Sequence, residues 1–186
     1  MLILASESPR RKVLLEKITG GFSVVPAGVD ELESGNEPEK LPQMNALLKA
    51  QAVAERFPEA FVLGADTAVF AGTGMLGKPE SPEEAAEMLE LLGGRSHKVI
   101  SGTALVCRSQ GVCRAWSTES KVTFKPLTRD EIAEYMKQVN VLDKAGAYAI
   151  QEYPELLGAV WEGELENIIG LPLLRLTEIL REYDLI

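Results

Sequence analysis

The sequence predicts an α/β protein whose mixed sheet carries helices on its faces. Three observations lead there. Apolar strand-like runs alternate with helical periodicity through the first half; helix-start signals recur at Ser8-Pro9, Ser81-Pro82 and Thr128; and two long strand patterns meet at Gln110-Gly111 as a hairpin. Alternation favours parallel strands joined by crossovers, and the hairpin adds an antiparallel pair. At 186 residues the chain suits one well-cored domain spanning 1–186, with room for two lobes sharing a sheet but not for two independent modules.

Taken in order, Leu2 to Ala5 is an apolar strand, and Ser8 with Pro9 caps a helix running to about Ile18, stopped by Gly20-Gly21. Phe22 to Val25 is a second strand, and Val29-Asp30-Glu31 opens an acidic loop. Leu41, Met44, Leu48, Ala52 and Phe57 recur at roughly helical spacing, with Lys49, Glu55 and Arg56 among the polar positions, so a helix ends before Pro58. Phe61 to Gly64 reads as a central strand broken at Asp66-Thr67 and resumed by Ala68 to Phe70. Ser81 and Glu84 form a capping box for a helix to Leu92. Val99–Cys107 and Val112–Phe124 make the hairpin, and Thr128 with Glu131 caps a helix to about Val139. Residues 143–148 read as a loop, Ala149–Gln151 and Leu157–Trp161 as weak strands, and Pro172–Tyr183 as an amphipathic helix turning Leu173, Leu176, Ile179 and Leu180 inward.

Composition removes several function classes. A net charge of −9 opposes broad binding to nucleic-acid polymers unless the 19 Lys and Arg gather on one face. No apolar run is long enough to span a bilayer, and the start reads as a strand rather than a signal peptide, so a cytoplasmic protein without a membrane anchor is expected. Cys107 and Cys113 are the only cysteines and His97 the only histidine, too few for a zinc site; both cysteines read as reduced, partly buried strand residues. The same scarcity argues against Ser-His-Asp or Cys-His nucleophiles, leaving His97 as an ordinary histidine. Neither a Walker loop nor a dinucleotide-binding glycine fingerprint is present. Trp116 and Trp161 could lie at an interface, but large aromatics in strand patterns are more often core.

What remains points to anions. Arg10-Arg11-Lys12 opens a helix, where the macrodipole disfavours cations, yet with the hydroxyls of Ser6 and Ser8 and the free amides it would cradle phosphate. The plain alternative for Arg11 and Lys12 is solvated surface charge. Asp66 sits within an apolar run, where an ionised group is costly unless paired or bound to metal; the alternative is a carboxylate satisfied by turn amides. Glu31 could be a second metal ligand, although a loop acid is ordinarily a surface group. Lys78, between Gly77 and Pro79, can aim one ammonium at an anion, and Lys49 is unexceptional by itself.

In sequence order, Leu4-Ala5-Ser6-Glu7-Ser8-Pro9-Arg10-Arg11, Lys49-Ala50, Gly64-Ala65-Asp66-Thr67, Leu76-Gly77-Lys78-Pro79, residues 143–151 and the closing Asn167-Ile168-Ile169-Gly170-Leu171-Pro172-Leu173 together resemble the Maf family of nucleotide pyrophosphatases, the septum formation proteins. The resemblance implies a two-lobed fold of the inosine-triphosphate-pyrophosphatase type, with a long twisted mixed sheet, a central cleft and a homodimeric assembly. It implies Asp66 as proton acceptor, Glu31 and Asp66 beside a divalent metal (Mg²⁺ or Mn²⁺), and Ser6, Arg11, Lys49 and Lys78 around the triphosphate. Arg10, Thr67 and Gln151 match the positions that set base specificity, and threonine after the aspartate is similar to the branch acting on dTTP and UTP. Two stretches depart from the family pattern: Glu152-Tyr153-Pro154-Glu155, where a glycine turn is usual, and Glu162 to Glu166, where a Gly-Ser-Tyr-Ser run is usual.

The residue types suit that chemistry. A triphosphate carries about four negative charges, so several cations and a metal must gather locally in an otherwise acidic protein. A carboxylate such as Asp66 can then orient and deprotonate water for in-line attack at the α-phosphorus, giving monophosphate and pyrophosphate. Competing readings are the same reaction on modified or non-standard nucleotides, and a non-catalytic nucleotide-binding regulator of septation, which would not need a water-activating acid.

Overall fold

The computed structural model describes residues 1–186. In chain order the elements are β1 (Leu2–Ala5), α1 (Pro9–Glu16), β2 (Phe22–Val24), a 3₁₀ turn (Pro38–Lys40), α2 (Leu41–Arg56), β3 (Phe61–Ala71), β4 (Gly74–Leu76), α3 (Pro82–Leu92), β5 (Ser96–Cys107), β6 (Val112–Thr123), α4 (Arg129–Gln138), a 3₁₀ turn (Ala145–Ala147), α5 (Pro154–Leu157), β7 (Val160–Glu162), α6 (Leu165–Ile169) and α7 (Leu173–Glu182). The seven strands form one sheet in the order β2-β1-β3-β5-β6-β7, with β4 added to β3. β1 pairs parallel with β2 and β3, while β4 and β7 run antiparallel to β3 and β6, so the sheet is mixed, as expected. No helix is long and apolar enough to cross a membrane.

Two compact units are formed, one from Met1–Thr67, Ser101–Thr118 and Gly170–Ile186, the other from Ala68–Ile100 and Glu119–Ile169. In the first unit a layer of small residues, Ala46, Ala50, Val53 and Ala54 of α2, lies against Ile3, Val62, Ala104 and Val106 of the sheet. A Cβ on Gly64 would overlap the Ala46 carbonyl, and one on Gly102 would overlap the Pro42 carbonyl. Bare backbone at these strand positions is what lets α2 approach so closely. The second unit has a bulkier core, including Leu89, Val99, Val122, Phe124, Ile132, Tyr135, Tyr148 and Leu157.

Helix starts follow the local rules. Ser8 and Ser81 accept from the backbone of Arg11 and Glu84, and Thr128 with Glu131 forms a complete capping box. At α3 the reciprocal arm is displaced: the Glu84 carboxylate accepts from the Glu80 amide rather than that of Ser81. In α7, Leu173, Leu176, Ile179 and Leu180 are buried, as the periodicity predicts.

Several expectations are corrected. β3 is continuous through Asp66 and Thr67, because both side chains find polar partners without interrupting the ladder. The buried face of α2 is rotated from the expected one: Met44 (48% exposed), Leu48 (37%) and Phe57 face outward, while Asn45 and Lys49 point in. Ala149–Gln151 is not a strand; the amide and carbonyl of Ala149 are both engaged by the Tyr135 hydroxyl instead of a ladder partner. Leu157 closes the short helix α5, and β4 and α6 were not anticipated. Cys107 is buried, but Cys113 and Trp161 are exposed, while Trp116 is core.

Candidate active site

The polar center of the first unit is built on Asp66 of β3, which is 9% exposed. A carboxylate so buried must be compensated, and the compensation comes from α2: Lys49 Nζ lies 3.0 Å from Asp66 Oδ1 and 2.6 Å from Glu31 Oε1. Lys49 is itself only 7% exposed, its stem covered by the close approach of helix and sheet. Glu31, on an exposed loop, is thus held by an ion pair although half its side chain meets solvent.

Arg11 approaches from α1. Parallel pairing of Ala5 with Gly64 brings the end of β1 beside β3, and α1 starts four residues later. The Arg11 Nε donates to Gly170 O (3.0 Å), Nη1 to Ser6 Oγ (3.4 Å) and Nη2 to Thr67 Oγ1 (3.3 Å), and Nη2 stands 3.9 Å from Asp66 Oδ1. Burial lowers the guanidinium pKa from its ordinary value, and the Asp66 and Glu31 carboxylates push it back up, with Arg10 adding a smaller depression. Thr67 Oγ1 also meets Ser101 Oγ at 2.8 Å and Gly170 O at 3.4 Å, so its hydroxyl is heavily engaged.

Ser6, Arg11, Glu31, Lys49, Asp66 and Thr67 are therefore brought together, and Arg10 lies half-buried beside Arg11 on α1. Lys78 and Gln151 belong to the second unit, where both are exposed. There the turn before Lys78 is tied to the 145–147 turn by a bond from Gly146 N to Gly77 O (3.0 Å). Gln151 Nε2 donates to Glu152 Oε1 at 3.4 Å, and the buried Lys144 is held by Asn140 O and Asp143, with Glu152 at 3.7 Å.

Sequence reasoning missed Asn45, Ser101 and the role of Gly170 as acceptor. Asn45 shares a face with Lys49 one helical turn away, and Ser101 is a polar residue inside an apolar strand run; either anomaly could have been noticed. No group of three or more His, Cys, Asp or Glu side chains is arranged so that it could hold a metal ion. Two carboxylates that already share one cation nevertheless suit Mg²⁺ or Mn²⁺, hard ions commonly held by one or two carboxylates together with substrate phosphates.

The Ham1 protein of Staphylococcus aureus has a similar fold, with a TM-score of 0.55 over 98% of each chain at 15% identity. The chain is thus an α/β protein of Ham1-like fold. More particularly, it belongs to the Maf family: the model described as "Maf-like protein" matches residues 1–183. It is 45% identical to a dTTP/UTP pyrophosphatase of Akkermansia muciniphila over 92% of this chain and 90% of the relative. A dTTP/UTP pyrophosphatase of Moorella thermoacetica is 43% identical over 96% of this chain and 93% of its own. One from Bacillus cereus is 40% identical over 99% and 96%.

Proposed function

We propose that this protein is a nucleoside triphosphate pyrophosphatase, converting dTTP and UTP to the monophosphate and pyrophosphate. The observation that carries the reading is the buried Asp66 carboxylate with Lys49 at 3.0 Å and Arg11 at 3.9 Å, a general base set among phosphate-matching cations. The similarity to dTTP/UTP pyrophosphatases over nearly the whole chain supports the same reaction and substrates.

In this reading Asp66 accepts a proton from water as the water oxygen bonds to the α-phosphorus. The bond from that phosphorus to the bridging oxygen breaks, and pyrophosphate leaves with the electron pair. Lys49 and Arg11 offset the charge that grows on the leaving group, and the Ser6 hydroxyl donates to a phosphate oxygen. Glu31 and Asp66 would hold a divalent cation, Mg²⁺ or Mn²⁺, which supplies further neutralisation of the triphosphate. Lys78 as a phosphate ligand, and Arg10, Thr67 and Gln151 as base-reading residues, enter on the motif match. A cytoplasmic homodimer completes the proposal.

The test is pyrophosphate release from dTTP, UTP, CTP, 7-methyl-GTP and inosine triphosphate with Mg²⁺ or Mn²⁺. Turnover of dTTP and UTP above the rest is expected. No turnover on any of them, or unchanged turnover in Asp66→Asn, would overturn the assignment.

A further inference from the structure

The cations account for only one oxygen of Asp66. Lys49 and Arg11 both address Oδ1; the other oxygen, Oδ2, accepts from Asn45 Nδ2 at 3.2 Å. The same amide closes a two-way pair with the main chain of Leu32: Leu32 N donates to Asn45 Oδ1 at 2.8 Å, and Asn45 Nδ2 donates to Leu32 O at 3.1 Å. The backbone amide can only donate and the carbonyl only accept, so the orientation of the Asn45 amide is fixed and its nitrogen must face Asp66. Leu32 directly follows Glu31, in an exposed stretch that lacks helix or strand from Val25 to Glu37. Asn45 is 4% exposed and sits one turn before Lys49 on α2.

We infer that Asn45 is a positioning residue for the reaction: through one amide it orients the Asp66 carboxylate and fastens the Glu31 loop to the helix that carries Lys49. The inference rests on the roles proposed above for Asp66 and Glu31. Asparagine is the residue this needs. Aspartate keeps the acceptor for Leu32 N but loses the donor to Asp66, leucine has neither, and glutamine is longer by a methylene. Outer-shell groups of this kind typically change activity by about 10–100-fold when removed.

Asn45→Ala and Asn45→Asp separate the two tasks in the full-length protein, read by amide hydrogen exchange at Leu32 and by kcat and KM for dTTP. Asn45→Ala should speed exchange at Leu32 about tenfold or more and lower kcat about 10–100-fold, with KM changed much less. Asn45→Asp should keep Leu32 protected yet still lower kcat. Unchanged Leu32 exchange in Asn45→Ala, or kcat within about twofold of wild type in both variants, would overturn the inference; Asn45→Ser replaces the alanine variant if that does not fold. If the wild-type protein hydrolyses no nucleotide, the proposed function fails, while Leu32 exchange still decides whether the tether exists.

Discussion

Asp66 in the first unit and His97 in the second are both buried and ionisable, and their surroundings treat charge in opposite ways. Around Asp66 stand Lys49, Arg11 and Glu31, so ionised groups balance one another. Around His97 stand the rings of Phe124 and Tyr148, with centroids 4.9 and 5.4 Å away. His97 Nε2 meets the Tyr148 hydroxyl at 2.9 Å, and its Nδ1 has no hydrogen-bond partner. Burial drives the His97 pKa down to about 4 and raises that of Tyr148, so this cluster is neutral at physiological pH. A buried carboxylate set among opposite charges is the surrounding expected of the proposed base, whereas a histidine kept neutral among rings is a packing element.

The sharpest way to break this contrast is Asp66→Asn, which removes the proposed base and should lower kcat for dTTP about 10²–10⁴-fold in a pyrophosphate-release assay, with the fold retained. Lys49→Met comes next. It leaves the buried Asp66 without its nearest cation, so stability should fall by about 3 kcal/mol in urea titration, with activity lowered as well. Raising the salt concentration should not reproduce that loss, because a buried pair is poorly screened.

His97 gives a comparable but pH-dependent effect of the opposite kind. Its folded pKa lies below the unfolded value near 6.5, so the unfolded chain binds the extra proton between about pH 6.5 and 4, and stability is lost as the pH is lowered through that window. The full loss amounts to about 3 kcal/mol. His97→Leu should flatten this slope in denaturation measured from pH 7.5 to 4 while leaving dTTP turnover at pH 7.5 unchanged. Smallest is Tyr135→Phe. It leaves the Ala149 amide and carbonyl without the hydroxyl they share and should cost about 1–3 kcal/mol, again without effect on turnover.

Legibility from sequence followed the same division. Caps and amphipathic helices such as α7 were readable because their signals are local, and Asp66 was suspect because a carboxylate within an apolar run is anomalous at a glance. The orientation of α2 was not readable. Periodicity favours the larger apolar residues for the core, but close packing against the strands at Gly64 puts the small Ala46 and Ala50 there, so Met44 and Leu48 face outward, while Asn45 and Lys49 are held inward by their polar contacts with Asp66. Asn45 escaped for the same reason. Its meaning depends on Leu32 and Asp66, 13 and 21 residues away, and no local rule connects them. Gln151 was found only as a motif match, and Lys78 by that match and by its place between Gly77 and Pro79; nothing in their spacing reveals what they touch.

The two side-chain-free positions under α2 work as a ruler as well as a seam. Any methyl added at residue 64 or 102 would have to lift the helix away from the strands, and the ammonium of Lys49 and the amide of Asn45 would travel with it. A locus bearing no reactive atom thus sets the spacing of the polar cluster: at Gly64 or Gly102, the smallest possible change would act as a spacer driven between the Asp66 carboxylate and its partners on the helix.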